Sequence, residues 1–326
     1  MASKHAFASV ALDRIDTQDH RYKITTGGPS ESLVASIKRA GVLTPPVLLP
    51  KNDDLLIIIS GFKRIATLRR LGASETIAWV LDREVAPERC AEIAIADNAA
   101  QRTLNAVEQG RAILLLETLY PDADKVCQVA GELGISLNPR VANKLRMAAQ
   151  MNDALQKSLV NGEVALPVAL QLADMADPSV AETIAALIGT MGLGLNRQRE
   201  LLDWLMSISR REKVSMRKLL DEEQIIEVIE NPDLDRKQKA HLLRHYFRRR
   251  RYPAMADIEA RFRNALKSLH LGEGIRLEPP PHFEGTTYSL RIDFKDPDEF
   301  HDRYQRLGKV MDSSAMASLW ELMQMR

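Results

Sequence analysis

The first hundred residues alternate between short apolar runs and amphipathic segments. Three apolar runs have the length of strands: residues 46–49, 55–59 and 76–81. Three stretches carry apolar residues at helical spacing: residues 32–40, 62–71 and 87–97. Gly41 and Gly72 are placed to end two of these helices. The alternation predicts a small α/β domain, and the prolines beside residues 46–49 favour an edge position for that strand.

From Asn105 onward the pattern becomes helical. Asn105 and Glu108 have the spacing of a capping box, with Asn in place of Ser or Thr, and open a helix that runs to residue 119. More helices are predicted at residues 126–133, 139–151, 153–161, 167–175, 180–188, 197–209, 216–220 and 222–230. Three glycines within residues 189–196 interrupt the helical run, and we place an internal boundary there.

The C-terminal segment mixes both patterns. Helices are predicted at residues 258–269, 297–311 and 314–323, and strands at 275–281 and 286–294, which flank a hairpin turn at 282–285. The fold class predicted for the whole chain is α+β and mainly helical. Four domains are predicted: an α/β domain at 1–104, a helical domain at 105–190, a helical linker domain at 191–252 and an assembly or partner module at 253–326.

Composition and charge narrow the function classes. No run approaches the roughly 18 apolar residues of a membrane span, and the N-terminus lacks the apolar core of a signal peptide. Only Cys90 and Cys127 are present, which favours a reducing cytosol over a disulfide framework or a metal site. The net charge is +1, yet residues 236–251 carry eight Lys or Arg and no acid. That basic run indicates either a segment that binds the phosphate backbone of nucleic acid or a solvated helix face.

A glycine stands between the most apolar strand and the following helix. The segment IIISGFKR, residues 57–64, places Gly61 before a helix whose first turn contains Lys63 and Arg64. Backbone N–H groups at a helix start attract anions, whereas cations there are unfavourable for the helix dipole. A bound phosphate would resolve this conflict. A solvated basic face is the alternative interpretation.

Residues 126–147 have the anatomy of a helix-turn-helix. Ala130 is small where two helices cross, Gly134 suits the turn, and Asn138 can cap the second helix. Four side chains are predicted to face the core: Val129, Leu133, Val141 and Leu145. Four candidate DNA contacts follow: Asn138, Arg140, Asn143 and Lys144. The alternative is an ordinary helical hairpin with a polar outer face.

Three segments resemble, in order, the motifs of the ParB partition-protein family. They are GVLTPPVLL from Gly41, ISGFKRIATLRRLG from Ile59 and DNAAQRTLNAVEQGRA from Asp97. The family has similar segments reading Gly-Ile-x-Gln-Pro, Gly-Glu-Arg-Arg and Glu-Asn-x-Gln-Arg-x-x-Leu-Asn-Pro-x-Glu. The resemblance extends from about Leu12 to Leu172 and implies a ParB/sulfiredoxin-like N-terminal domain followed by the helix-turn-helix.

The resemblance implies a site for CTP and Mg²⁺ in the N-terminal domain. By position, five residues would surround the phosphates: Gly41, Thr44, Gly61, Lys63 and Arg64. Arg64 is the expected main anchor, since a guanidinium can fork onto two phosphate oxygens. Asp97 and Asn98 would serve the metal and the catalytic step, and Gln101 and Arg102 would complete the nucleotide site.

Departures from the family pattern bear on the chemistry. Phe62 replaces the family's Glu, Lys63 replaces an Arg and Asp97 replaces a longer Glu. A displaced carboxylate lowers catalytic rates steeply, so we expect nucleotide binding with at most weak CTP hydrolysis. Phe62 also occupies the position of the sulfiredoxin cysteine, which excludes sulfur chemistry. Between Gly134 and Val141 the chain is one residue longer than the family pattern.

The function predicted by the resemblance is plasmid or chromosome partition. The chain would be a cytoplasmic, nucleoid- or plasmid-associated protein that binds double-stranded DNA as a homodimer and responds to CTP, with a Walker-type partition ATPase as a partner and no membrane association. Two alternatives remain open. One is a sequence-specific transcriptional regulator with a degenerate nucleotide pocket, and the other is a ParB-like nuclease, although no acidic cluster accompanies Asp97.

Overall fold

The computed structural model describes residues 5–135, 138–280, 283 and 287–324. The chain divides into two compact units, Met1–Arg199 and Glu200–Arg326. The predicted class, α+β and mainly helical, is confirmed. Among the described residues, none of the helices combines the length and the apolar character that crossing a bilayer requires.

The first unit begins with a five-stranded sheet. Its strands are β1 (His5–Ala11), β2 (Ile15–Asp16), β3 (Val47–Pro50), β4 (Leu56–Ser60) and β5 (Glu75–Leu81). They lie in the order β1-β5-β3-β4-β2. The pairs β1–β5 and β3–β4 are antiparallel, whereas β5–β3 and β4–β2 are parallel. Sequence patterning missed β1 and β2.

Strand β3 occupies the centre of this sheet, so the prediction of an edge position was wrong. Pro46 precedes the strand, and its carbonyl accepts a hydrogen bond from the Trp79 amide at 2.9 Å. Pro50 is the last residue of the strand. Both prolines therefore lie at or beyond the ends of the ladder, where a missing N–H removes no central hydrogen bond.

Three helices cover both faces of the sheet. They are α1 (Glu31–Ala40), α2 (Phe62–Arg70) and α3 (Pro87–Gln101). Ile58 of β4 packs with residues of α1 and α2, whereas its neighbours Ile57 and Ile59 pack with residues of α3. Burial on both faces explains why this strand reads as one continuous apolar run. Hydrogen bonds from Ser60, at the end of β4, and from Arg64 of α2 to Asp97 of α3 bring the start of α2 close to α3.

Six helices complete the first unit: α4 (Ala106–Glu117), α5 (Ala123–Glu132), α6 (Pro139–Gln150), α7 (Asp153–Val160), α8 (Leu166–Ala173) and α9 (Pro178–Met191). The predicted capping box of α4 is confirmed, with the Asn105 side chain accepting from the Glu108 amide at 3.0 Å. Helix α9 continues through Gly189, since this glycine keeps helical geometry and the chain turns only at Gly192, with φ of +60°.

The second unit is helical with one hairpin. Helix α10 (Leu195–Glu212) crosses the division between the units, and α11 (Met216–Leu220), α12 (Glu223–Glu230), α13 (Arg236–Arg251) and α14 (Pro253–Leu269) follow. Strands β6 (Ile275–Glu278) and β7 (Ser289–Ile292) pair antiparallel, as predicted. Helices α15 (Pro297–Met311) and α16 (Ser314–Gln324) end the described chain. The turn predicted at 282–285 lies outside the described residues except for Phe283.

Candidate functional site

A cleft of about 490 Å³ opens at the N-terminus of α2. Its walls come from Thr25, one face of α1, the loop that follows α1, the start of α2 and the end of α3. Eight of the nine residues predicted for the nucleotide and its chemistry line this cleft: Gly41, Thr44, Gly61, Lys63, Arg64, Asn98, Gln101 and Arg102. The ninth, Asp97, lies beside the cleft in contact with Arg64 and Gln101. Segments distant in sequence thus meet at one site.

Gly61 fits a position that no other residue can take without strain. Its φ is +99°, and a Cβ atom there would lie 2.8 Å from the Cβ of Pro46 and 3.0 Å from its Cα. Glycine therefore permits both the left-handed backbone and the close approach of the loop. Helix α2 has no side-chain cap, so its first backbone N–H groups are open toward the cleft.

Arg64 is fixed by protein oxygens. Its guanidinium donates to the carbonyl oxygens of Thr44 at 2.6 Å and Pro45 at 3.1 Å, and pairs with Asp97 at 2.7 Å. The side chain is only 13% exposed. Asp97 also accepts from the Ser60 hydroxyl and from the Gln101 amide. Arg64 and Asp97 therefore join the loop, β4 and α3 into one wall of the cleft.

Lys63 is the cation of this motif that forms no ion pair within the described part of the chain. Its side chain lines the cleft, where burial lowers the pKa of the ammonium group below its ordinary value. Glu108 acts in the opposite direction, and Arg102 adds to the lowering of that pKa. An anion bound in the cleft would compensate for this desolvation, because an opposite charge favours the charged form of the lysine.

Arg102 is held by a buried carboxylate that sequence reasoning treated only as a helix cap. Glu108 is 1% exposed and accepts from Arg102 at 2.5 and 2.8 Å and from the Thr26 amide at 3.0 Å. Although burial raises the pKa of Glu108, the donors from Arg102 and Thr26 hold that pKa below its ordinary value. Glu108 therefore fastens α4 to the wall of the cleft. The capping-box spacing was the signal that located it.

A second lobe of about 340 Å³ adjoins the cleft and shares Thr25, Phe62 and Lys63 with it. Phe62 contributes an aromatic ring here, with the ammonium group of Lys23 at 5.9 Å from the ring centroid and the His20 ring at 6.3 Å. Sequence reasoning missed this lobe, because most of the residues that form it lie in an irregular segment, residues 17–29, without a periodic pattern.

Asn98 and Asp97, the residues predicted to hold the metal, differ in how many hydrogen bonds they already make within the protein. Asn98 donates its amide nitrogen to the Ala94 carbonyl at 2.8 Å, which leaves its amide oxygen as the available atom. Asp97 already accepts from Ser60, Arg64 and Gln101. Within the described ranges, no group of three or more His, Cys, Asp or Glu side chains is arranged to hold a metal ion.

Helices α5 and α6 lie at the positions predicted for the two helices of a helix-turn-helix. Gly134 has a φ of +87°, and the Asn138 side chain caps α6 by accepting from the Val141 amide at 2.9 Å. Arg140, Asn143 and Lys144 lie together on the exposed face of α6. Two of the four candidate DNA contacts also bond within the protein, since Asn138 caps the helix and Asn143 accepts from Arg146 at 3.2 Å.

The predicted core face of this pair was wrong at one position. Val141 is 39% exposed, whereas Ala142 is buried with Leu145 and Ala148. Buried residues at spacings of three set the inner face of α6, and Val141 lies outside it. The extra residue noted between Gly134 and Val141 falls beside positions 136 and 137, which lie outside the described residues.

The basic run forms α13 in the second unit, where acids from neighbouring helices pair with three of its eight cations. Arg250 pairs with Glu212 and Glu222, Arg248 with Glu259 at 2.9 Å, and Arg244 with Glu200 at 2.7 Å. Arg249 is exposed and has no ion pair in the part of the chain that is described. Because these acids are distant in sequence from the arginines they pair with, the sequence pattern did not show that part of the basic run is paired.

Comparison with known proteins gives a consistent set of relatives. No protein-family model matches the chain. The probable chromosome-partitioning protein ParB of Chlamydia pneumoniae is 28% identical over 206 residues, which cover 61% of this chain and 70% of that protein. The corresponding protein of Pseudomonas putida is 30% identical over 176 residues, covering 54% and 58%. The chromosome-partitioning protein ParB of Caulobacter vibrioides is 30% identical over 151 residues, covering 45% and 47%. The chain thus spans about half the length of the last two.

Two solved structures with low overall similarity to this chain also carry the ParB name. C-terminally truncated ParB from Caulobacter crescentus, complexed to the centromeric parS site, is 19% identical with a TM-score of 0.34, covering 60% of this chain and 97% of that chain. A Pnob8-like ParB-N domain is 14% identical with a TM-score of 0.30, covering 75% and 99%. On these sequence relationships, the chain is similar to the ParB chromosome-partitioning proteins over its N-terminal and central parts.

Proposed function

We propose that this chain is a CTP-responsive DNA-binding protein that acts in plasmid or chromosome partition, in the cytoplasm, on the nucleoid or a plasmid. One observation carries the proposal: eight of the nine residues that the ParB motifs imply converge on a single cleft of about 490 Å³. That volume lies within the range of small-molecule sites. The helix-turn-helix follows directly in the same compact unit.

The cleft offers a triphosphate two kinds of partner. The uncapped start of α2 presents backbone N–H groups, and Lys63 supplies a positive charge that no carboxylate neutralises among the described residues. Arg64 acts mainly by positioning, because it fixes the loop carbonyls of Thr44 and Pro45 beside the phosphate path. A nucleotide that displaced Asp97 from Arg64 would gain a forked guanidinium contact.

Magnesium fits this donor set in part. Mg²⁺ prefers hard oxygen ligands and usually combines one or two carboxylates with phosphate oxygens and water. The Asn98 amide oxygen and the Asp97 carboxylate would hold the ion, which would neutralise charge between phosphates. Asp97 could bind the ion only after its 2.7 Å ion pair with Arg64 is replaced by a contact to the metal. We therefore propose weak CTP hydrolysis at most.

The exposed face of α6 would read DNA. Arg140, Asn143 and Lys144 project from it, and these side chains suit phosphate and base-edge contacts. Asn138 would act through the cap that orients the helix start. Because helix-turn-helix proteins commonly read sites with two-fold symmetry, we propose a homodimer, with a Walker-type ATPase as the partner in partition.

A sequence-specific regulator with a degenerate pocket is the second candidate. One observation favours it: the guanidinium groups of Arg64 and Arg102, which line the cleft, are both paired with carboxylates of the protein. Calorimetric titration with CTP and magnesium, with and without a selected DNA site, separates the two candidates. Binding in either condition supports the partition proposal. No heat in both conditions would leave the regulator as the function.

The DNA-reading role has its own test. Asn143→Ala or Lys144→Ala should weaken binding to a selected DNA site by about 1–3 kcal/mol and leave CTP binding unchanged. Lys125→Ala is the matched control, since it removes one exposed lysine from α5. It should leave the ratio of specific to non-specific affinity intact. Unaltered site affinity in both α6 variants would contradict the assignment of α6 as the reading helix.

A further inference from the structure

One hydroxyl group in the wall of the cleft has no hydrogen-bond partner among the residues that the structure describes. Thr25 is 7% exposed and lines both the cleft and its second lobe. Its Oγ1 atom is buried, and no donor or acceptor reaches it from the described residues. Buried hydroxyl groups are normally satisfied, so an unpaired one at the edge of a cavity points to a polar group of a ligand.

The backbone of the same residue is tied to a helix of the DNA-binding part. Arg111 of α4 donates to the Thr25 carbonyl oxygen at 2.9 Å. The next residue, Thr26, donates its amide and its hydroxyl to Glu108, also in α4, at 3.0 and 3.2 Å. A ligand that moves residues 25 and 26 must therefore move α4 or break these bonds.

The connection continues to the end of the reading helix. The second guanidinium nitrogen of Arg111 donates to the Gln156 side-chain oxygen at 2.8 Å. The Gln156 amide in turn donates to the carbonyl oxygens of Ala149 at 2.9 Å and Met151 at 2.7 Å. These carbonyls lie at the C-terminal end of α6, where the helix itself leaves acceptors unsatisfied.

We propose that the Thr25 hydroxyl contacts the nucleotide in the cleft, and that Arg111 and Gln156 connect this contact to the C-terminal end of α6. The inference rests on the proposed function. It adds a ligand contact outside the three sequence motifs and a continuous path of hydrogen bonds between the two sites. Arg111 and Gln156 are positioning residues, because neither touches the nucleotide or the DNA.

The ligand contact is tested with Thr25→Val, which keeps the shape and removes the hydroxyl. CTP affinity should fall about 2- to 13-fold, the loss of one hydrogen bond. The urea midpoint should stay the same or rise, because the variant removes an unpaired buried polar group. If Thr25 were only structural, Thr25→Val would leave CTP affinity unchanged and lower the urea midpoint. Unchanged CTP affinity in a folded Thr25→Val protein would overturn this part of the inference.

The connection is tested by the effect of CTP on how long the protein stays on DNA. In Gln156→Met, the ratio of residence times with and without CTP should move toward one by about 2- to 30-fold, with CTP affinity unchanged. Arg111→Lys is a second variant that keeps the charge but cannot bond both partners. Glu117→Gln is the control, since it breaks a different α4–α6 contact, the 3.2 Å pair with Arg146, away from the cleft.

The outcomes separate the two proposals. A wild-type protein that binds CTP and responds to it, together with Gln156→Met and Arg111→Lys proteins that respond equally well, would overturn the connection alone. A wild-type protein without any CTP response would overturn the proposed function and the connection with it. Loss of the response in both variants and its retention in Glu117→Gln would support the path through Arg111 and Gln156.

Discussion

Gly110 of α4 lies against the backbone carbonyl of Leu145 in α6. A Cβ atom at residue 110 would overlap the Leu145 carbonyl oxygen and come within 2.8 Å of the Ala149 Cβ. The two helices can approach this closely only because residue 110 has no side chain. Gly110 thus sets the position of the proposed reading helix on α4, and Glu108, one half-turn earlier, holds α4 to the cleft.

Gly110→Ala should destabilise the protein by about 1–3 kcal/mol, because the added methyl group meets backbone that cannot rotate away. Gly131→Ala is a matched control in α5, where a Cβ atom would meet nothing within 4 Å. That change should be neutral or stabilising by up to about 1 kcal/mol. Urea unfolding of both variants measures the difference. Equal stability of the two would contradict the close approach of α4 and α6.

Substitutions of Lys63 and Arg64 should differ in their effects on CTP affinity and on the free energy of unfolding. Lys63→Met removes a desolvated charge without an ion pair among the described residues, so CTP affinity should fall while the free energy of unfolding holds steady or rises. Arg64→Met breaks bonds to Thr44, Pro45 and Asp97, so it should lower CTP affinity and also cost about 1–3 kcal/mol of stability. Calorimetry measures the CTP affinity of both variants, and urea unfolding measures their stability. A destabilised Lys63→Met protein would be the contrary result.

The Glu108 carboxylate should make stability depend on pH. Its folded-state pKa lies below its ordinary value, so the unfolded chain, with a pKa of about 4.3, binds the proton more readily. The stabilisation is fully present above the unfolded-state pKa and is lost as the pH falls through the lower folded-state pKa. Glu108→Gln should flatten this acid limb and cost about 1.5–3 kcal/mol at neutral pH.

Urea midpoints from neutral pH down to about pH 3 measure that dependence. Glu84→Gln is the control, since Glu84 is exposed and its side chain has no bonded partner among the described residues. It should leave the profile unchanged. An acid limb in Glu108→Gln as steep as that of the wild type would show that other carboxylates control acid unfolding.

Adjacent arginines of α13 should behave differently. Burial and the pairs with Glu212 and Glu222 make Arg250 structural, and hydrogen bonding to Glu212 raises its pKa. Arg250→Gln should therefore cost about 1–3 kcal/mol of stability. Arg249→Gln should leave stability within about 0.5 kcal/mol, and it should reduce the salt dependence of DNA binding if α13 meets phosphates. An unaltered salt dependence would assign the basic helix to structure alone.

Local sequence patterns determined the positions of most helices and most residues of the candidate site. Helix periodicity located every helix of the first unit to within a few residues, and the capping box at Asn105 and Glu108 formed as predicted. The order of three short motifs gave the resemblance to the ParB proteins and eight residues of the cleft. These features depend on spacing along the chain, which the sequence states directly.

Tertiary structure decided which of these groups are free. The partners of Arg64, Arg250 and β3 that decide ligand access, ion pairing and a central position in the sheet are 28 or more residues away in sequence. Gly110 and Gly131 look alike in their helices, yet only Gly110 meets another backbone. Burial and ion pairing arise when distant segments pack together, and no local pattern encodes that packing.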